Sequence, residues 1–167
     1  GESYTLADTD NLSGTTGATA TAAEKTYEGF TYDETVEGTV KSGTIAGDGS
    51  LVLKLYYTRN SYKVTYNYTT DVTGESELPA EATYKYGAEV TVAAAATASG
   101  YTFTGWTTSD ATITDGKFDM PAKDVTISGD WTANSDTAYK VEHYKQDLDG
   151  ESYTLADTDN LSGTTGA

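Results

Sequence analysis

The sequence lacks cysteine altogether, and its 167 residues include one histidine, one methionine and two prolines. Without cysteine there is no disulfide framework, no thiolate metal site and no thiol redox chemistry. The single histidine, His143, has no partner at the spacing of a catalytic triad or a metal site, so we interpret it as an ordinary strand residue. We predict that the chain is not an enzyme, with no catalytic or cofactor-binding residues.

Basic residues are scarce as well. The chain has 10 Lys and Arg against 26 Asp and Glu, so its formal charge is 10 − 26 = −16. Such a chain repels phosphates, which excludes nucleic acids and anionic lipid as expected partners. No apolar run approaches the roughly 20 residues that a membrane-spanning helix requires, so we expect no membrane insertion.

The strongest positive feature is an exact repeat. Residues 1–18 read GESYTLADTDNLSGTTGA, and residues 150–167 read the same, which gives a period of 150 − 1 = 149 residues. Identity over this length indicates a tandem array. The second copy carries three acidic residues and no basic one, so each full cycle has a charge of −16 + 3 = −13. We expect the sequence to be a piece of a longer, polyanionic array.

A second, divergent repeat lies inside the cycle. Segments that begin YKV and end GES occur at 62–76 and 139–152, GATATAAEKTYEGFTY (17–32) parallels GAEVTVAAAATASGYTF (87–103), and YTRN parallels WTAN. These parallels predict two related modules of about 75 residues each, a size at which small domains fold alone. Module A is residues 1–60 without its first strand, module B is residues 61–136, and residues 137–167 are the first strand and hairpin of the next module A.

Apolar and polar residues alternate in several stretches, as in strands with one buried face. The alternation predicts strands at Tyr62–Tyr68, Val125–Trp131 and Leu51–Tyr57. Turns are predicted at Asp48-Gly49, Asp115-Gly116 and Asp149-Gly150. The alanine-rich segments 18–25 and 93–98 favour short helices. The predicted fold class is therefore a β-rich α+β fold.

The residues of both modules resemble known surface repeats. Module A, with YKVEHYKQDLDG, LSGTTGATATA and GSLVLKLYYTRN, resembles mucin-binding-protein (MucBP) and internalin B-type repeats of Gram-positive surface proteins. Module B, with YGAEVTV, SGYTFTGW and FDMPAKDVTISGDW, looks like the Listeria–Bacteroides repeat. The resemblance implies ubiquitin-like β-grasp modules in tandem, secreted and attached to the cell surface or cell wall.

The acidic pairs near the end of the chain invite a calcium hypothesis, with candidate ligands Asp147, Asp149, Asp157 and Asp159. The EF-hand pattern fails, because glycine falls at the fourth position of the loop instead of the sixth and Thr158 occupies the twelfth, where a glutamate is needed. A site formed by two converging loops and a plain Asp-Gly turn beside a solvated acidic loop remain open alternatives.

Two functions fit these features. The first is a structural stalk or fibre-forming repeat of a bacterial surface adhesin, whose partners are neighbouring copies of the same repeat. The alternative is a module that binds host glycans or mucin glycoproteins through avidity. Trp106 and Trp131 could stack on a sugar or pack in the core.

The ends of the sequence divide module A between them. Residues 1–60 lack the YKVEHYKQ strand, which occurs only near the other end. We therefore predict that strand Tyr139–Gln146 is an inter-repeat strand, with Tyr139, Val141, His143 and Tyr144 completing the module of a neighbouring copy. Within a filament, that copy is the covalently continuous next repeat; between separate chains, the contact is strand donation.

Overall fold

The computed structural model describes residues 3–166, which form thirteen β-strands and no helix. Among these residues there is accordingly no helix long and apolar enough to cross a membrane. The strands are β1 Thr19–Thr21, β2 Phe30–Tyr32, β3 Ser42–Thr44, β4 Tyr57–Arg59, β5 Ser61–Tyr68, β6 Ala82–Lys85, β7 Glu89–Thr91, β8 Tyr101–Phe103, β9 Lys117–Asp119, β10 Val125–Gly129, β11 Trp131–Ala133, β12 Thr137–Gln146 and β13 Tyr153–Gly163.

Module B is built around a three-stranded sheet in the order β10-β5-β6. Strand β5 pairs in parallel with β10, Val64 opposite Val125, and antiparallel with β6, Val64 opposite Ala82. Two small antiparallel pairs, β7-β9 and β8-β11, complete the module. Its core consists of six buried apolar residues: Val64, Val90, Phe118, Met120, Val125 and Ile127.

Module A repeats the small strand pairs of module B. Strand β1 pairs with β3 as β7 pairs with β9, and β2 pairs with β4 as β8 pairs with β11. The hydrogen bond from the Gly17 amide to the Ile45 carbonyl (2.9 Å) recurs between Gly87 and Met120 (2.8 Å). Residues 3–60 form no counterpart of the three-stranded sheet of module B.

The last two strands form a separate hairpin. Strand β12 pairs antiparallel with β13 along its whole length, from Thr137 opposite Gly163 to Gln146 opposite Tyr153, with a bulge between His143 and Tyr144. The hairpin closes through the predicted Asp149-Gly150 turn, where the Gly150 amide donates to the Asp147 carbonyl at 2.9 Å. Strand β12 is therefore paired within its own chain.

The prediction of a β-rich chain is confirmed, whereas both predicted helices are wrong. Thr19 and Thr21 of the first segment lie in β1, because β-branched residues fit a strand and the β3 ladder takes up their backbone groups. Residues 93–97 of the second segment are neither helix nor strand. Alanine propensity alone does not sustain so short a helix. An α+β fold, the β-grasp fold included, requires a helix, and residues 3–166 form none.

The strand predictions hold where a partner strand is present. Tyr62–Tyr68 and Val125–Gly129 are strands that pair with each other. Of the stretch Leu51–Tyr57, only Tyr57 lies in a strand, and the rest contributes one isolated bridge between Lys54 and Val40. This stretch corresponds to β10, and its β5-like partner is missing from residues 3–60.

Candidate functional site

The surfaces that join one module to the next are the best candidate for a functional site. At the end of module A, the Asn60 amide donates to the Gly29 carbonyl, and the Asn60 carbonyl accepts from the Tyr86 amide of module B, both at 2.8 Å. The Thr31 hydroxyl donates to Oδ1 of Asn60 at 2.6 Å. Asn60 thus links module A to module B through backbone hydrogen bonds on both sides.

The same junction occurs at the end of module B. The Asn134 amide donates to the Gly100 carbonyl at 2.8 Å, and its carbonyl accepts from the Thr165 amide at 2.9 Å. The Thr102 hydroxyl donates to Oδ1 of Asn134 at 2.7 Å. These three hydrogen bonds of the first junction each have a counterpart in the second, so the asparagine at the end of each module makes the same contacts.

Each junction contains a glycine that lies directly against a residue of the following segment. Gly29 and Gly100 have φ values of +78° and +80°, in the left-handed region. A Cβ on Gly29 would lie 2.2 Å from the Tyr86 ring, and a Cβ on Gly100 would lie 2.6 Å from the Thr165 hydroxyl. Both glycines are therefore needed for the close approach of the next module, as well as for their own backbone conformation.

The apolar residues of residues 3–60 are less buried than those of module B. All six buried apolar residues of the described chain belong to module B. The positions that correspond to Val90, Met120, Val125 and Ile127 are only half-buried; they are Ala20, Ile45, Leu51 and Leu53. Among residues 3–60, no strand takes the place that β5 has beside β10.

The terminal hairpin is exposed along its first strand. Every residue of β12 is exposed, including all four that the sequence singled out. Tyr139 is 51% exposed and Val141 37% exposed. Beside them lies an open depression of about 470 Å³, lined by Thr137, Tyr139 and residues 163–166. Unlike β5, strand β12 therefore covers no buried core in the described residues.

Strand β12 pairs with β13 of its own chain, whereas the sequence predicted pairing of Tyr139–Gln146 with a neighbouring copy. Within the described residues, the opposite edge of β12 has no neighbouring strand. In β5, the corresponding edge carries the parallel strand β10. Completion of a neighbouring module through that second edge stays a prediction.

One sequence has two conformations in this chain. Residues 153–163 form the strand β13, whereas residues 4–14, which have the identical sequence, form no strand. In the first copy, Tyr4 packs edge-on against Tyr56 (5.1 Å between ring centroids), and Lys25 Nζ contacts Asp8 and Asp10 at 2.5 and 2.8 Å. The same sequence is thus a strand where β12 pairs with it and an irregular segment where it contacts Tyr56 and Lys25.

The four calcium candidates have protein partners. Asp147 accepts hydrogen bonds from the hydroxyls of Ser152 and Thr154, both at 2.8 Å, and Asp149 accepts from the backbone amide of Ser152. Asp159 lies 3.0 Å from Nε2 of His143, and Asp157 accepts from the amide of its neighbour. Across residues 3–166, no three acidic or histidine side chains converge as a metal site.

The two tryptophans pack within an aromatic cluster. Trp106 stacks on Tyr68 at 5.7 Å and meets Phe103 edge-on at 4.8 Å, while its Nε1 donates to the Ala94 carbonyl. Trp131 lies 5.3 Å from Tyr68. Both rings contact Tyr68 and Phe103, and Trp106 also packs against the buried core of module B, so the packing of these rings favours the second of the two alternatives.

The junction residues could have been found in the sequence. Asn60 and Asn134 end the paired phrases YTRN and WTAN, and Gly29 and Gly100 precede the paired triplets FTY and YTF. These phrases indicate the repeat, but repetition alone assigns no role to them. Their place at the end of each module was the signal that these residues make the junction.

Comparison with known proteins identifies one segment. No curated protein and no solved structure matches the chain significantly. A family model matches residues 62–135, which are 74 of the 167 residues. The match supports a repeat like those of bacterial surface proteins, without the mucin-binding or Listeria–Bacteroides assignments. Residues 62–135 are similar to the divergent InlB B-repeat domain.

Proposed function

We propose that this chain is a structural repeat of a bacterial surface adhesin, in which modules A and B alternate along a stalk or fibre. The repeated junction carries the proposal: Asn60 and Asn134 make the same three hydrogen bonds at successive module boundaries. A geometry that recurs at each boundary adds a constant rotation and translation per module. Arrays of this kind gain length by adding units.

The charge of the chain supports the same role. A cycle with a net charge of −13 makes neighbouring modules repel each other at long range, which favours an extended array over a collapsed one. The array would hold a binding domain away from the cell surface or form the body of the fibre. Attachment to the cell wall and strand completion by the next repeat belong to this proposal.

Small-angle X-ray scattering on polypeptides of one, two and three complete 149-residue cycles tests the proposal. We expect the maximum dimension to rise by the same increment with each added cycle. A three-cycle variant with Gly29→Val and Gly100→Val in every cycle serves as the control, since it disturbs the junctions and leaves the charge unchanged. A compact profile with no constant increment would contradict the stalk function.

Binding of host glycans is the second hypothesis, and no described contact favours it. The rings of Trp106 and Trp131 face other aromatic rings. A glycan array probed with the three-cycle polypeptide distinguishes the two functions, because avidity raises even weak binding by each module.

A further inference from the structure

We propose that module B is a load-bearing unit, in which the parallel pairing of Val64–Tyr68 in β5 with Val125–Gly129 in β10 resists a pull along the chain. We call this pairing the β5–β10 seam. The proposal rests on the proposed stalk function, because a stalk passes any pull on its far end through each module in turn. It goes beyond that function in naming the contact that carries the load.

The path of a pull through module B follows from the order of its strands. The chain enters the module at β5, directly after Asn60, and leaves it through β10 and β11, directly before Asn134. Strands β5 and β10 are adjacent and parallel, with Val64 opposite Val125. A pull therefore draws the start of β5 and the end of β10 in opposite directions along a shared axis. The two strands are loaded so as to slide past each other.

Sliding breaks the hydrogen bonds of a seam together, whereas peeling from one end breaks them one at a time. The Lys63 amide, which donates to Asp124 at 2.8 Å, marks one end of the seam. The Thr69 amide, which donates to the Gly129 carbonyl at 2.9 Å, marks the other. Between these ends every second amide of β5 faces β10, and the bonds of a parallel pair are evenly spaced. A pull along the chain thus loads all of them at once.

Side chains on the face of the sheet opposite the core add cross-strand contacts to the seam. The Ser128 hydroxyl donates to Oδ1 of Asn67 at 2.8 Å. The hydroxyls of Thr65 and Thr126 lie 3.5 Å apart, and the Thr69 hydroxyl donates to the last carbonyl of β10 at 3.3 Å. Strands β5 and β10 are therefore linked through side chains as well as through the backbone.

The other face of the seam is closed to water. Val64, Val125 and Ile127 are at most 2% exposed. At the end of β10, the Phe103 ring lies so close to Gly129 that an added Cβ would be 2.4 Å from it. Water competes for a backbone hydrogen bond once that bond opens, and here it can enter from one face only. Bonds that open under load are therefore able to form again.

Single-molecule pulling on the full chain tests the proposal, since the natural sequence contains no cysteine and handles can be attached at introduced thiols. Ser61→Cys with Ser135→Cys pulls along the seam, from the entry and the exit of module B. Ser61→Cys with Ala122→Cys pulls the strands apart at their starting end, because Ala122 precedes Val125 by three residues as Ser61 precedes Val64.

At one loading rate, the first pair of attachment points should require about twice the unfolding force of the second or more, because forced unfolding depends on the rate at which the native state opens. Unfolding of module B is recognised by a gain in length of about 3.5 Å for each residue between the attachment points.

A proline variant tests the seam itself. Thr69→Pro removes the amide and the hydroxyl that bond to the Gly129 carbonyl, at the end where the pull enters β10. Thr69 directly follows β5, and the extended residue before it is compatible with proline. Thr69→Pro should lower the force along the seam and leave the force at the starting end unchanged, because peeling from that end breaks this bond last. Thr69→Ser keeps both donors and should change neither force.

Ser128→Ala repeats the test within the seam if Thr69→Pro does not fold, which urea unfolding followed by circular dichroism determines. It removes the hydroxyl that bonds to Asn67. Its control is Glu89→Ala, which removes a cross-strand bond of 2.7 Å to Lys117 between β7 and β9, outside the seam. Of these two variants, only Ser128→Ala should lower the force along the seam.

The outcomes separate the inference from the proposed function. Equal forces in the two pulling directions would overturn the load-bearing seam even if the scattering increments are constant. An unchanged force along the seam in folded Thr69→Pro, or in Ser128→Ala where it takes its place, would do the same. A directional difference that falls in the seam variant, together with a compact three-cycle profile, would support the seam and overturn the stalk.

Discussion

The Thr165 amide donates to the Asn134 carbonyl at 2.9 Å, one module after the Tyr86 amide donates to the Asn60 carbonyl at 2.8 Å. The first hydrogen bond joins module B to the terminal hairpin, and the second joins module A to module B. In both, a backbone amide of the following segment donates to the carbonyl of the asparagine, at nearly the same distance. The divergent modules therefore share a junction although their cores differ. Because the same hydrogen bond recurs at both boundaries of this chain, the residues at the boundaries are the first candidates for mutation.

The junction glycine Gly29 should be sensitive to any side chain. Gly29→Ala adds a methyl group 2.2 Å from the Tyr86 ring at a residue with φ +78°. We expect a loss of unfolding free energy of about 1–2 kcal/mol from the backbone conformation and a further ~1–3 kcal/mol from the clash. Urea unfolding followed by circular dichroism measures the sum.

Gly49→Ala is the matched control for this substitution. Gly49 has φ +74°, but no atom lies within 4 Å of the added Cβ. It should lose only the backbone contribution of about 1–2 kcal/mol. Equal losses in the two variants would show that the contact between Gly29 and Tyr86 contributes nothing to the junction.

The aromatic cluster of module B depends on a second glycine, Gly129. A Cβ there would lie 2.4 Å from the Phe103 ring and 2.9 Å from the Trp106 ring. Gly129→Ala should lower the unfolding free energy by ~1–3 kcal/mol through overpacking and change the tryptophan fluorescence of the native state. Gly47→Ala, whose added methyl meets Thr16 at an ordinary 3.6 Å, should leave both unchanged. An unaltered spectrum in Gly129→Ala would contradict the tight packing.

Much of this architecture was accessible from the sequence, and the exceptions have a physical cause. The turns at Asp115-Gly116 and Asp149-Gly150 are local, and both were predicted correctly. The stretch Leu51–Tyr57 has a clear strand pattern but forms mostly no strand, because β structure requires a partner at another place in the chain. Residues 4–14 and 153–163 have identical sequences, but only residues 153–163 form a strand, and only they have a partner strand.

The junction was harder to predict than the turns. Asn60 and Gly29 are 31 residues apart, and their contact with Tyr86 depends on the packing of two modules. The repeated phrases contained these residues, but a repeat alone does not distinguish a core position from a boundary. The helices were predicted wrongly for a related reason, since alanine content is a local signal and pairing in β1 is tertiary.

The turn of the terminal hairpin should be stabilised by an ionised Asp149. The amides of Glu151 and Ser152 donate to its carboxylate and lower its pKa. A lowered pKa in the folded state means that this stabilisation is present above the unfolded value of about 3.9 and is lost as the pH falls through the folded value. The protection factors of amides across β12 and β13, which correct for the intrinsic exchange rate at each pH, should therefore fall at low pH, and Asp149→Ala should lower them at pH 7 as well.

Calcium should not alter this behaviour, because the hydroxyls of Ser152 and Thr154 already bond to Asp147 and that of Ser152 also reaches Asp149. Thermal unfolding with added calcium and with a chelator should give the same midpoint. A midpoint that rises with calcium in the natural chain and not in Asp149→Ala would establish a site at the turn.

The contact of Lys25 with Asp8 and Asp10 should control the N-terminal segment. The hydrogen bonds that Lys25 donates to Asp10 and then to Asp8 raise the pKa of Lys25, and the bond to Asp8 is the main cause that lowers the pKa of Asp8. The stabilisation from Asp8 is present above about pH 3.9 and disappears as the pH falls through its lowered pKa. Acidification should then separate the rings of Tyr4 and Tyr56, and a two-dimensional NMR titration of the full chain would detect the change.

Lys25→Gln isolates that interaction, because it removes the charge and keeps a donor of similar length. The pKa of Asp8 should return toward its ordinary value, and the Tyr4 resonances should lose their dependence on pH between about 2 and 5. Lys41→Gln removes a different surface pair, with Glu24 at 2.6 Å, and should leave the titration of Asp8 unchanged. If Asp8 titrates identically in all three chains, then Lys25 does not hold residues 4–14, and another contact must keep that segment in place.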